Sequence, residues 1–338
     1  MPVYSPNFAL PQEWTYPTVG HMVRVYFRKQ NKVLKVPRLS ELERLEDIIW
    51  IDLQNPSFDE LRDVEEHFDI RFQSKQEQAE IESSSRYFET DEEIIANTNF
   101  LQADSTQQAG FSSNGVSFIL QNETLFTYRE ADLANFAECV RKIKASGRAF
   151  GSGKKILVSL FETGIDTDAD IIEGISRNIV ALGRELSFTG STDEKLILQI
   201  NRLLDDTMML RQNIIDKQRV VTAMLRSRDF EGTELESLRI LIKDVNSLLD
   251  HTTFNSERLE YLQDTFLGLI NIEQNKIIKI FTVASVIFMP PTLIASIYGM
   301  NFQAFPELHW RYGYPFAILL MLLSSMTTLY LFRKKKWL

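Results

Sequence analysis

Asp264, Gly268, Asn271, Asn275, Ile278, Thr282, Ser285, Met289, Thr292, Ser296 and Gly299 follow one another at alternating steps of four and three residues. That spacing holds all of them on one face of a helix over five heptads. The chemistry on offer is mostly that of uncharged oxygen: two asparagine amides and four hydroxyls, with a carboxylate only at the start. Such a stripe serves either of two ends. Small and hydroxylated residues let helices approach and bond across the contact. Alternatively, neutral oxygens line a wet path for a hard cation that keeps its water shell. The order of residues favours the wet path. The stripe starts at Asp264, passes Asn271 and Asn275, and reaches Gly299-Met300-Asn301 at its far end. Two helices of one chain cannot enclose a channel, because their other faces must meet lipid, so a path implies a symmetric ring of subunits.

Other motifs offer less. In "GSGKK" (151–155) the first glycine is misplaced for a phosphate loop, and Lys155 stands where a Ser or Thr should bind magnesium. The expectation there is a flexible turn before a strand. "DTDAD" (166–170) fails as a calcium loop, with Ile171 at the sixth position and Arg177 at the twelfth. An acidic cluster at a helix start is the expectation. The four histidines are scattered and Cys139 is the only cysteine, which excludes an intrachain disulfide and a cysteine-rich metal site. No Ser/His/Asp set or carboxylate pair supports enzyme chemistry. A net charge of −9 argues against nucleic acid as the main partner and is compatible with divalent cations.

The elements that must carry the stripe follow from patterning. The proline-rich residues 1–20 read as an irregular arm without a cleaved signal peptide. Residues 21–37 alternate apolar and polar around Gln30-Asn31, a hairpin signature. "IIWIDLQNP" (48–56) reads as a strand, and Ser57 with Glu60 has capping-box spacing for a helix over 57–68. Further strands fit 93–101, 115–130 and 154–161. Helical spacing takes over in 169–186 and 193–227, and Thr233 with Glu236 suggests another start. Between Thr233 and Met289 there is no proline and only one glycine, so a very long helix is expected, with His251-Thr252-Thr253 as its weak point.

Two stretches are long and apolar enough to cross a bilayer, Ile280–Tyr298 with 19 uncharged residues and Gly313–Phe332 with 20. Lys276 and Lys279 precede the first, four cations of "RKKKWL" follow the second, and the connecting loop holds only Arg311 and Glu307 as full charges. The positive-inside rule then places both termini in the cytoplasm and the loop outside. Pro290-Pro291 should bend the first span, as a static kink or as a gating hinge. Gly299 ends it in the manner of a C-cap.

"SVIFMPPTLIASIYGMNFQAFPELHWRYGYP", followed by a second span and "FRKKKWL", resembles the CorA family of magnesium and cobalt transporters, of the proteobacterial type. The specific match covers about residues 260–338, and the rest agrees in layout. The resemblance implies an α/β cytoplasmic domain (1–165), a helical region and stalk (166–276), a pore-lining span (277–298), an external loop (299–312), a second span (313–332) and a basic cytoplasmic tail (333–338). It further implies a homopentamer in the inner membrane, with no nucleotide and no enzyme activity. The substrate would be Mg2+, with Co2+ and Ni2+ as alternatives. Cytoplasmic Mg2+ between subunits would hold the pore closed.

By the same resemblance Gly299, Met300 and Asn301 build the entrance, with the Asn301 oxygen facing the ion. Asn275, Met289 and Thr292 line the pore, Met289 as a dewetting constriction, with Ile278, Thr282, Ser285 and Ser296 on the same stripe. Asp264 forms an acidic ring below the membrane, and Glu307 belongs to the external loop. This sequence departs from the family at Gln303, where bacterial relatives often carry glutamate, and at Phe305, which replaces a methionine. A magnesium-sensing aspartate of some relatives falls near Ile240, leaving Asp244 as the nearest candidate for a regulatory metal. A zinc transporter of the same superfamily and a membrane-anchored sensor without transport are the alternatives.

Overall fold

Strand pairing begins where the sequence alternates. The structure, a computed structural model, describes residues 22–29, 32–36, 47–73, 86–103, 110–147, 149–190, 192–300 and 310–335. The N-terminal arm, Gln30-Asn31, Asn301 and the loop to His309 lie outside these residues. The chain divides into two compact units, Met1–Arg184 with Lys195–Tyr261, and Glu185–Glu194 with Leu262–Leu338.

The first unit holds a seven-stranded mixed sheet. Its strands are β1 (Met22–Lys29), β2 (Lys32–Val36), β3 (Ile48–Gln54), β4 (Tyr87–Glu89), β5 (Glu93–Ala103), β6 (Phe111–Gln121) and β7 (Thr124–Arg129), in the order β2-β1-β3-β7-β6-β5-β4. Only β3 and β7 pair in parallel, with Asp52 opposite Thr127 and Gln54 opposite Arg129. β1 and β2 form the expected antiparallel pair. The stretch 115–130 is two strands rather than one. Asn122 and Glu123 take φ of 48° and 68°, the left-handed pair that a two-residue hairpin turn demands.

Helix α1 (Phe58–Phe68) starts as read: Ser57 Oγ accepts from the Glu60 amide, and Glu60 accepts from the Ser57 amide at 2.8 Å. It covers one sheet face, where Val25, Ile51, Leu53, Val64 and Phe126 close a core. The opposite face is aromatic. Trp50 meets Phe136 of α2 (Ala134–Ala145), and Phe100 and Phe118 meet Phe161 of α3 (Gly153–Thr189).

Two expectations fail in α3. Residues 154–161 are helix, not strand, so the helical region begins at Gly153. The glycine is required there, because its N–H donates to the Glu123 carbonyl at 2.7 Å and a Cβ would lie 2.5 Å from the Leu125 nitrogen. "GSGKK" is thus a close backbone approach that launches a helix. The acidic cluster 166–170 does not start a helix either. It sits inside α3, and Asp168 is buried against Lys217 Nζ at 2.8 Å. Lys217 also donates to Asn213 and stacks over the Phe100 ring.

α4 (Glu194–Arg226) and α5 (Gly232–Tyr298) complete the helical part, and α5 runs unbroken for 67 residues. Its start differs slightly from the expected cap: the helix begins at Gly232, and Thr233 Oγ1 donates to Glu234 at 3.0 Å. The weak point at 251–253 does not break. Thr252 and Thr253 turn their hydroxyls onto the Leu249 carbonyl, and Arg211 of α4 bonds both threonines. In the second unit α5 is followed by α6 (Gly313–Lys334).

Candidate functional site

All eleven stripe residues lie on α5 or directly after it, and every one of them is exposed. Ile278 is 60% exposed and Met289 67%, values foreign to a helix that packs this face within its own chain. Among the described residues, no hydrogen-bond partner meets the amides of Asn271 and Asn275 or the hydroxyls of Thr282, Ser285 and Ser296. Thr292 Oγ1 donates only to the Phe288 carbonyl one turn back, at 2.7 Å.

α6 covers a different face. The less exposed residues of α5 in this region are Val283, Ala284, Val286, Ile287, Pro290, Pro291, Ile294 and Tyr298. At 100° per residue these centre roughly opposite the stripe. The matching side of α6 is Gly313, Ala317, Met321, Ser324, Ser325 and Thr328, which is rich in small residues. Close packing within the chain therefore uses small residues of α6 and leaves the polar stripe bare.

The proline pair fits this arrangement. Pro291 has no N–H to give the Ile287 carbonyl, and an unmet carbonyl in hydrocarbon is costly. Ser325 Oγ of α6 donates to that carbonyl at 3.4 Å. α5 remains helical through both prolines to Tyr298. This contact went unread in the sequence because Ser325 lies 38 residues from Ile287.

The helix then stops at Gly299. Its N–H reaches the Ala295 carbonyl at 2.9 Å, and the Met300 N–H reaches Ile297 at 3.2 Å. Gly299 is not among the glycines with positive φ, so it ends the helix without the left-handed conformation of a glycine C-cap. Met300 is exposed, whereas Asn301 and Glu307 lie outside the described residues. Asp264 is exposed on the same face of α5, and Asp244 is exposed further toward its start. Among the described residues no group of three or more His, Cys, Asp or Glu is gathered to hold a metal ion.

Both α5 and α6 are long and apolar enough to cross a membrane. Between Asp264 and Gly299 the stripe carries no charge, so an ion moving along it would meet oxygens and water but no strong ligand.

Comparison with known proteins places this arrangement. A family described as CorA-like Mg2+ transporter protein matches residues 46–334. The chain is 38% identical over 321 residues to the magnesium transport protein CorA of Wolinella succinogenes, covering 94% of this chain and 100% of that one. It is 35% identical over 314 residues to the Escherichia coli protein of the same name, covering 92% and 99%. The fold is that of the CorA magnesium transporter from Methanocaldococcus jannaschii, with a TM-score of 0.78 at 20% identity over 94% of this chain and 99% of that one.

Proposed function

The chain belongs to the CorA family, and from that premise we propose that it is a membrane transporter carrying Mg2+ along the stripe of α5. The observation that carries the reading is the bare polar face: exposed in one chain, uncharged within the span, and opposite the side that α6 covers. One stripe cannot wall a channel, so five copies pack their α5 helices around an axis and turn the stripes inward.

Asn301, with Gly299 and Met300, forms the external entrance. Mg2+ dehydrates reluctantly, and a ring of amide oxygens and carbonyls holds its water shell without stripping it. Asn275, Ile278, Thr282, Ser285, Thr292 and Ser296 line the path, weakly enough for the ion to leave. Met289 narrows it with an apolar ring, and Asp264 collects the ion at the inner end. Glu307 adds negative charge to the external loop. A potential of 100 mV supplies about 2.3 kcal/mol per charge, hence about 4.6 kcal/mol for a divalent ion. That amounts to about three decades of concentration, enough for inward flux without nucleotide.

The sheet and the helices from α3 to the cytoplasmic part of α5 lie in the cytoplasm, as do both termini, with the protein in the inner membrane. Co2+ is a second substrate. Cytoplasmic Mg2+ closes the path by binding between copies. Asp244, exposed on α5, is the candidate ligand for that ion on this chain. Nothing in the molecule favours zinc as the substrate over magnesium.

Asn301→Ala tests the entrance. Uptake of Mg2+ by a transport-deficient strain should fall to background while the protein remains folded in the membrane; uptake at the wild-type rate sinks the assignment. Flux into proteoliposomes with Mg2+, Co2+, Ni2+ and Zn2+ in turn separates a magnesium transporter from a zinc transporter and from a sensor that moves no ion.

A further inference from the structure

In the sheet-bearing unit, the start of β4 and one side of α4 line an open cavity of about 460 Å³ that ion transport along α5 does not use. Volumes of about 300–1,000 Å³ are usual for small-molecule sites. Arg86, Tyr87, Gln218, Arg219, Thr222 and Arg226 line it. Three guanidiniums in one concavity run against the trend of a chain with nine more acidic than basic side chains.

Asp216 is a carboxylate shared by two of them, Arg86 and Arg219. It lies 3.2 Å from Arg86 Nη2 and 3.7 Å from Arg219 Nη1, and it also accepts from Asn99 and Gln212. Arg226 has no carboxylate partner among the described residues. Glu89 is the nearest other acid on β4, where the hydroxyls of Tyr87 and Ser227 hold it at 2.7 and 2.9 Å, and it does not line the cavity. Arg86 supplies the second, independent sign. It is 8% exposed, yet its Nε is buried with no acceptor among the described residues. A buried donor left unmet points to a missing water or anion.

The shape of the basic set narrows the ligand. Arg219 and Arg226 stand seven residues apart on α4, about 10 Å along the axis at 1.5 Å per residue. That separation exceeds one tetrahedral oxyanion and suits a chain of them. Thr222 lies between the two arginines and adds a hydroxyl, so most lining groups donate and the ligand must accept. Guanidinium forks match phosphoryl oxygens in pairs. We infer that this cavity is a site for a soluble polyphosphate, bound by Arg86, Arg219 and Arg226 and bridging β4 to α4.

The test is calorimetric titration of the full-length protein in neutral detergent, free of divalent metal, with tripolyphosphate. The inference predicts saturable binding at one site per chain that weakens as salt rises. Arg226→Ala, an exposed change with no ion pair to lose, should weaken binding tenfold or more without moving the melting temperature. Arg219→Ala should weaken binding as well, although it also removes the contact to Asp216 and so moves the melting temperature, and Arg226→Lys should restore part of the affinity. Equal binding of sulfate or citrate would overturn the polyphosphate assignment. Absent binding, or binding indifferent to Arg226→Ala and Arg219→Ala, would overturn the site. Because the readout is binding rather than ion flux, its failure leaves the transport reading untouched.

Discussion

Asp52 and Arg129 are each 1% exposed at the centre of the sheet-bearing unit, and the polar groups that touch the two are paired within the chain. Arg129 holds both Asp52 oxygens, at 3.1 and 3.0 Å, and Gln54 at 3.0 Å, while Arg24 and Thr127 reach the same carboxylate at 3.1 and 3.0 Å. In the other unit, Asn271, Asn275, Thr282, Ser285 and Ser296 lie bare on α5. One chain satisfies the first set completely and leaves the second set waiting. Burial without pairing is expensive, so the first arrangement holds a fold together. Polar groups kept bare along a span serve water, ions or other copies of the chain.

The largest effect expected from that contrast is in the sheet. Arg129→Ala takes the two-point partner from the buried Asp52 carboxylate, leaving it Arg24 and Thr127, and should cost about 3 kcal/mol, read as a lower melting temperature of the purified protein. Acid should attack the same place. Burial pushes the Asp52 carboxyl up, but Arg129, Arg24 and Thr127 outweigh it and hold it below the usual range. A depressed folded value means the stabilisation is present above the unfolded value of about 3.9 and is lost as pH falls through the folded one. The melting temperature should therefore drop below about pH 4 in the wild type, and this drop should shrink in Asp52→Asn.

A smaller change sharpens the comparison. Asp168→Leu with Lys217→Met removes both partners of a buried pair, and the double variant should lie within about 1–2 kcal/mol of wild type, whereas Lys217→Met alone should lose about 3 kcal/mol or more. Smaller again is Ser325→Ala, which leaves the Ile287 carbonyl unmet and should cost about 0.6–2 kcal/mol in detergent unfolding. Least of all in stability is Ser285→Ala, within about 0.5 kcal/mol because nothing in the chain touches the hydroxyl. Its Mg2+ flux should nevertheless change, and a stability loss as large as that of Ser325→Ala would break the contrast.

The stripe and both spans were legible in the sequence because helical period and charge exclusion are local signals. The capping box at Ser57 was legible for the same reason. Residues 154–161 were misread because a short apolar run fits a buried strand and a buried helix equally well. The close approach of Gly153 to Glu123 and Leu125 is made across the fold, and the local contact at the helix start, the Lys155 amide donating to Ser152 Oγ, is long at 3.5 Å. Asp168 looked like part of a solvated acidic cluster, since its partner Lys217 is 49 residues away. The Asp52–Arg129 pair is separated by 77 residues and rests on the parallel register of β3 with β7. Period and composition carry the elements, whereas ion pairs between distant elements need the fold.

Cysteine accessibility tests the account most directly, and the chain suits it. Cys139, its one cysteine, is buried, and burial pushes its thiol up to about 12, so it stays inert to thiolate-directed reagents. Single cysteines would be placed at Thr282, Ser285 and Ser296 on the stripe, and at Ile287 and Ile294 on the face toward α6. Each would be treated with a charged, water-soluble thiol reagent in reconstituted vesicles while Mg2+ influx is followed. The stripe cysteines should react and block influx, while the others should do neither. Unreactive stripe cysteines, or reaction there with influx intact, would contradict it.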